Sequence, residues 1–158
     1  MKCRSAAPFT MLLACLLCTA AAIADEPHLL LGVWHVDVAK LTTPAPPKSV
    51  TITLTEAGDG RYRMNVDIIG HDGWESHATG IFKPDGTPFP AVGSSDVDIV
   101  SMTMPSRKIL VMGAGIAGQP SYTRVYSLSD DGQHMIETVV GQGKDGRPFT
   151  RVNTWNRQ

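Results

Sequence analysis

The sequence predicts an all-β fold: an antiparallel up-and-down meander that closes into a lipocalin-like barrel of roughly eight to nine strands. Three observations indicate this fold. Turn-forming Gly and Pro residues recur at short intervals, the segments between them alternate apolar and polar residues with period two, and the body of the chain lacks a helical apolar period. Consecutive hairpins pair strands that are neighbours in sequence, which gives a meander. Closing this meander into a barrel removes the exposed edges of the sheet.

The start of the chain has the residue pattern of a leader peptide. A basic start, Met1–Arg4, precedes an apolar run, Phe9–Ala24, which ends in small residues. This pattern is typical of a secretory signal peptide, residues 1–24, that is cut after Ala24. This cut predicts a mature protein of one domain, residues 25–158, that is periplasmic or secreted. The run is too short for a membrane span. An alternative is a lipoprotein attached at Cys15, because Leu12–Cys15 resembles a lipobox.

The positions of the cysteines and the net charge exclude several classes of catalytic and binding function. Cys3, Cys15 and Cys18 all lie in the leader, so cleavage leaves a chain without cysteine nucleophiles, disulfides or zinc-binding thiolates. Cleavage also removes two of the 14 basic residues, so that 12 remain against all 15 acidic ones, a net charge of −3. Basic residues are not clustered, and we therefore expect no nucleic-acid partner.

The strands follow from the turn signals. Asp-Gly pairs favour hairpins, because glycine accepts the positive φ that primed turns require. Residues 42–48 are expected to form a loop, since a cluster of prolines cannot lie in a central ladder. The predicted strands are 33–38, 49–56, 61–69, 74–82, 97–104, 107–113, 121–128, 134–141 and 149–156. Their alternation predicts an inward face made of Trp34, Val36, Val38, Val50, Ile52, Leu54, Tyr62, Met64, Val66 and Ile68.

One motif imitates a nucleotide site. Gly113–Gly118 has the spacing of the dinucleotide fingerprint and follows a strand-like segment. The third glycine of that fingerprint must open a helix, but Gln119-Pro120 and another strand-like segment follow here. We therefore interpret the motif as a connection between two strands, with no nucleotide and no cofactor.

Catalytic and metal-binding patterns are weak. His71 and His77 lie across a turn with Asp72 and Glu75 nearby, yet no two histidines have the spacing of strand or helix ligand pairs. There is no nucleophile elbow, and the single acids Asp37, Asp67 and Glu137 are too widely separated to indicate a carboxylate pair for acid–base catalysis. No metal site and no catalytic residue is assigned.

The tryptophans indicate how the barrel closes. Gly32 and Trp34 open the first strand, and Arg151 and Trp155 lie in the last. First and last strands are neighbours in a closed barrel. We therefore expect Gly32, Trp34 and Trp155 to close one end, with Arg151 or Trp155 stacked on Trp34.

These residues carry a resemblance. Gly32-x-Trp34 at the start of the first strand, followed by a β meander with a basic residue near its end, resembles the lipocalin or calycin pattern. The layout is most similar to small secreted bacterial lipocalin-like proteins of unassigned function. The stretches that carry the likeness are 32–40, 46–51 and 143–149. The resemblance implies a barrel able to hold a small molecule and implies no catalytic residues.

Polar residues of like parity follow three consecutive predicted strands: Tyr122, Arg124, Tyr126, Glu137, Arg151 and Asn153. Facing inward, they would give the lumen one polar wall, and the first five are our candidate ligand-binding residues. Facing outward, they would form a solvated surface while Val125, Ile136, Thr138, Val140 and Val152 take the core side. Charged residues are seldom buried, which favours the outward arrangement.

Three functions compete. The first is a non-catalytic, exported lipocalin-like protein that binds a small apolar or amphipathic molecule. The second is a cofactor-independent isomerase, cyclase or hydratase in the lumen, using Tyr122, Tyr126, Arg124 and Glu137. The third is an envelope protein with a fully packed barrel, which binds a protein partner through an apolar patch near Ile109–Ile116.

Overall fold

The computed structural model describes residues 28–143 and 145–158. The signal peptide predicted over 1–24 lies outside these residues. The described chain forms ten strands and a short 3-10 helix, Val38–Lys40. The strands are β1 (Gly32–Val36), β2 (Ser49–Gly58), β3 (Arg61–Ile69), β4 (Glu75–Phe82), β5 (Phe89–Pro90), β6 (Ile99–Ser106), β7 (Ile109–Ile116), β8 (Gln119–Leu128), β9 (His134–Gln142) and β10 (Pro148–Arg157).

All ten strands belong to one antiparallel sheet with the order β4-β3-β2-β1-β10-β9-β8-β7-β6-β5. The first strand pairs with the last, so that Trp34 lies opposite Arg157 and Val36 opposite Trp155. The sheet edges β4 and β5 meet where Thr79 and Val92 exchange two backbone hydrogen bonds, of 2.9 and 3.1 Å. The predicted all-β up-and-down barrel is therefore confirmed, nearly closed, with ten strands instead of eight or nine.

The two ends of the barrel differ. The end that carries residues 28–31 and the turns at 58–60 and 129–133 is filled by side chains, and we call it the closed end. The other end carries the proline-rich loop 41–48, the turn at 70–74 and the segment 91–98, and we call it the open end. Among the described residues, no helix is long and apolar enough to cross a membrane.

The inward face predicted for the first strands is confirmed. Trp34, Val36, Ile52, Leu54 and Met64 are buried in the core. Partly buried residues, which include Val38, Val50, Tyr62 and Val66, pack against that core. Ile68 lines the space inside the open end of the barrel.

Several strand boundaries differ from the prediction, and one short strand was missed. β1 ends at Val36, because the chain turns into the 3-10 helix at Val38. β6 continues through Pro105 to Ser106 with a register shift, the kind of irregularity at which a strand accommodates proline. β5 was missed, because a two-residue strand ending in Pro90 has no alternation to detect.

The glycine motif lies in a hairpin. Gly113–Ile116 is the end of β7, which runs three residues further than predicted, and β8 starts at Gln119. Ala117 and Gly118 between them have φ values of 51° and 75°, the signature of a type I′ turn. Gly115 lies close against the backbone of Gln119, where a Cβ atom would come within 3.1 Å of its carbonyl oxygen. The motif thus connects two strands, and the glycines permit close packing there.

Candidate ligand-binding cavity

A cavity of about 710 Å³ occupies the barrel between the closed end and the open end. Its walls are mostly apolar and come from inward positions of the strands, among them Val50, Val66, Met112 and Val139. At the open end it is bordered by Thr42–Pro44, Trp74 and Ser94–Asp96. A volume of this size is typical of small-molecule sites. It contradicts the alternative of a fully packed barrel.

The closed end is sealed by Trp34 and Arg157. The Trp34 side chain is 1% exposed and donates its indole N–H to the Leu30 carbonyl at 2.9 Å. The Arg157 guanidinium lies 4.2 Å from the Trp34 ring centroid and donates to the carbonyls of Leu29, Leu31 and Gly132. These bonds tie the segment before β1 across the barrel end.

Of the predicted closure residues, Gly32 and Trp34 lie at this end. A Cβ atom on Gly32 would come within 2.6 Å of Arg157 Nη1, so a larger residue would displace the guanidinium. Trp155 is buried but lies further inside, on the cavity wall. The expectation that Arg151 or Trp155 stacks on Trp34 was wrong, because Arg157 of the same strand stacks there. Arg151 lies instead 5.1 Å from the Phe149 ring centroid, because it is six residues before Arg157 on β10.

A polar row crosses one wall of the cavity. Glu137 on β9 lies opposite Tyr126 on β8 and opposite Asn153 on β10. All three line the cavity, as do Tyr122 and Arg124 on β8. Alternation along three adjacent strands brings these side chains to the same face, since successive residues of a strand point to opposite faces.

The preference for an outward arrangement of these residues was wrong. Glu137 is fully buried, whereas its neighbour Ile136 is 40% exposed. Val140 and Val152, which the outward arrangement would bury, are 47% and 58% exposed. The rule that charged residues are seldom buried does not hold here, because Arg124 and Glu137 form an ion pair. The alternation of residues along a strand does not show such a pair.

The Glu137 carboxylate is the centre of the polar row. Oε1 accepts a hydrogen bond from Arg124 Nη1 at 2.6 Å. Oε2 accepts from Asn153 Nδ2 at 2.7 Å and from the Trp155 indole N–H at 3.2 Å. Three donors and one opposite charge therefore compensate the desolvation of this carboxylate.

Arg124 faces the cavity as well as Glu137. Its side chain is 27% exposed, and its guanidinium lies 4.8 Å from the Tyr122 ring centroid. Burial lowers the pKa of Arg124, but the Glu137 carboxylate and its hydrogen bond raise it, so the guanidinium stays charged. Burial, reinforced by the Glu137 charge, raises the pKa of the Tyr126 phenol well above its usual value. Tyr126 is thus a neutral hydrogen-bonding group.

The structure therefore brings four of the five candidate ligand-binding residues together, namely Tyr122, Arg124, Tyr126 and Glu137. Arg151 also lines the cavity, but its side chain is largely exposed. Asn153 was grouped with these polar residues by parity but was not named as ligand-binding, and Trp155, of the same parity, was assigned to barrel closure. Their hydrogen bonds to Glu137 show that both belong to the cluster.

The turn histidines do not come together. His77 Nδ1 lies 2.7 Å from Asp67 Oδ1 and its Nε2 lies 3.7 Å from Glu75 Oε2, on the outer face of the barrel. The bond to Asp67 raises the pKa of His77. His71 borders the cavity at the open end instead. Within residues 28–143 and 145–158, no three His, Asp or Glu residues are grouped to hold a metal ion.

Known proteins resemble this chain in fold but not in sequence. No protein-family model and no curated protein matches the sequence. Among solved structures, the chain is similar to fatty-acid-binding protein 1 of Echinococcus granulosus, with a TM-score of 0.54 and 13% identity over 82% of this chain and 97% of that one. It is also similar to a point mutant of the fluorescent protein UnaG, with a TM-score of 0.54 and 11% identity over 82% and 96% of the chains.

Wild-type UnaG gives a TM-score of 0.50 at 15% identity, again over 82% of this chain, and 97% of that one. These likenesses place the chain in one fold class, the nearly closed antiparallel barrels of the fatty-acid-binding-protein and calycin type. The lipocalin-like fold implied by Gly32-x-Trp34 is thereby supported. At such low identity the likeness concerns the fold alone.

Proposed function

We propose that this protein binds a small, mostly apolar molecule inside its barrel and catalyses no reaction on it. The cavity of about 710 Å³, which is mostly apolar with a polar row on one wall and further polar residues toward its open end, is the observation that carries the proposal. Apolar cavities with a few placed polar groups are the usual form of a small-molecule site. The similarity to a protein whose name records fatty-acid binding supports it.

The polar wall is better suited to orienting a ligand than to catalysis. Acid–base chemistry needs a group whose proton is exchanged with substrate. The Glu137 oxygens are already occupied by Arg124, Asn153 and Trp155. Burial raises the pKa of Tyr126, which opposes its action as a base. The cluster therefore favours binding over an isomerase, cyclase or hydratase activity.

The proposal includes export to the periplasm or the medium. Its support is the leader pattern of residues 1–24, with small residues before Asp25. Attachment through Cys15 would instead leave the apolar residues 16–24 on the mature chain.

Mass spectrometry tests both parts of this proposal. The whole chain, with its own leader, is expressed in a bacterial host and purified without detergent. The denaturing mass should correspond to residues 25–158, and a mass starting at a lipidated Cys15 would contradict the predicted cut. The native mass should exceed the denaturing one by an organic-extractable compound, or do so after dodecanol is added. A bare native mass under both conditions would contradict the binding function.

A further inference from the structure

We propose that the ligand of this barrel carries a neutral hydrogen-bond acceptor, such as a hydroxyl, carbonyl or ester, rather than a carboxylate. The inference rests on the proposed binding function and specifies its ligand class. It follows from the charge balance of the polar wall, where the Arg124 guanidinium and the Glu137 carboxylate are held 2.6 Å apart.

The Arg124–Glu137 pair has no net charge, so it does not attract an anionic ligand as a lone guanidinium would. Glu137 is fully buried, so bulk water does not screen it from a group that enters the cavity. A ligand carboxylate that approached Arg124 would lie beside the Glu137 carboxylate, and such like-charge contacts are strongly unfavourable in a desolvated site. An anion would have to displace Glu137 from Arg124, leaving a buried carboxylate without its counter-charge.

A neutral acceptor meets no such barrier. A guanidinium carries five N–H donors, and Arg124 uses Nη1 on Glu137. Its Nε is buried without a hydrogen-bond partner among the described residues, so the donors that a ligand can reach are the remaining Nη hydrogens. The side chain is nevertheless 27% exposed, and it lines the cavity. Arg124 can therefore donate to a ligand oxygen while its bond to Glu137 stays intact.

Other charged groups around the cavity do not change this balance. Arg151 lies nearer the open end, largely exposed, with its guanidinium over Phe149. Asp96 and His71 border the same end. Because solvent screens charges at the opening, these groups discriminate less between neutral and anionic ligands than the buried pair does.

The test compares dodecanol with dodecanoate, two ligands that share a chain and differ in the polar end. Titration calorimetry on the delipidated protein at about pH 8, where the acid is ionised, should give the alcohol an affinity at least about tenfold higher. Glu137→Gln keeps the side-chain shape and removes the negative charge. It should shift the ratio of affinities toward the acid by about tenfold or more.

Two further variants complete the design. Arg124→Gln/Glu137→Gln removes both charges and should still prefer the alcohol. Arg151→Gln removes the cation near the opening and should shift the ratio of affinities much less than Glu137→Gln does. The wild-type ratio remains decisive if Glu137→Gln does not fold.

Equal or tighter binding of dodecanoate by the wild type would overturn this inference alone and leave the binding function standing. An unchanged ratio in folded Glu137→Gln would also overturn it. Binding of neither ligand by the wild type would overturn the proposed function and this inference with it.

Discussion

Replacing Arg124 by methionine will lower the free energy of unfolding by about 3–5 kcal/mol, the usual cost of removing one member of a buried ion pair. Glu137 is fully buried, and its shortest hydrogen bond comes from Arg124. Methionine keeps much of the side-chain length but supplies neither charge nor donor. The Glu137 carboxylate would then be compensated only by Asn153 and Trp155. Urea denaturation followed by circular dichroism measures the change.

The double variant Arg124→Met/Glu137→Gln is the matched control. Glutamine removes the uncompensated charge and keeps an oxygen to accept from Asn153 and Trp155, so most of the lost stability should return. If Arg124→Met were as stable as the wild type, the ion pair would not be the buried element that the structure shows. If the double variant were no more stable than the single one, the loss would come from packing rather than from charge.

Replacing Trp34 by alanine will cost about 3–5 kcal/mol of stability, because it removes a large buried side chain from a well-packed site. Trp34 is 1% exposed and holds Leu30 through its indole N–H. It also supports the Arg157 guanidinium, which binds the carbonyls of Leu29 and Leu31. The same denaturation measurement applies, together with hydrogen exchange of residues 28–31, which should become faster.

Trp74→Ala provides the comparison at the open end. Its side chain is 49% exposed, so the same substitution there should cost less than about 1 kcal/mol. Equal losses for the two variants would contradict the distinction between a closed and an open end.

The sequence was sufficient for the fold because the signals were local. Alternation over 50–54 and 61–68 and the Asp-Gly turns each depend on neighbouring residues, and together they predict a meander whose first and last strands pair. The strand at Phe89–Pro90 could not be predicted, because its pairing with Val100 depends on the position of β6. The irregularity at Pro105 could not be predicted either, because it depends on how β6 pairs with β7.

The site was harder to predict than the fold. Parity placed Tyr122, Arg124, Tyr126 and Glu137 on one face but could not say which face. The deciding fact is the ion pair between β8 and β9, which makes buried charge acceptable. The register between β1 and β10 likewise determines that Arg157, and not Arg151, stacks on Trp34. Contacts across strands, rather than residue types, therefore define the site.

If the ligand binds in the interior of the barrel, a cavity-filling substitution will weaken its binding. Ala78 lines the cavity on β4, and Ala78→Trp would occupy the space of a ligand. Val152→Trp places the same side chain on the outer face, where Val152 is 58% exposed. Titration of the delipidated, folded proteins with dodecanol should show binding by the wild type and Val152→Trp and at least about a tenfold loss in Ala78→Trp. Undiminished binding by Ala78→Trp would contradict a ligand site inside the barrel.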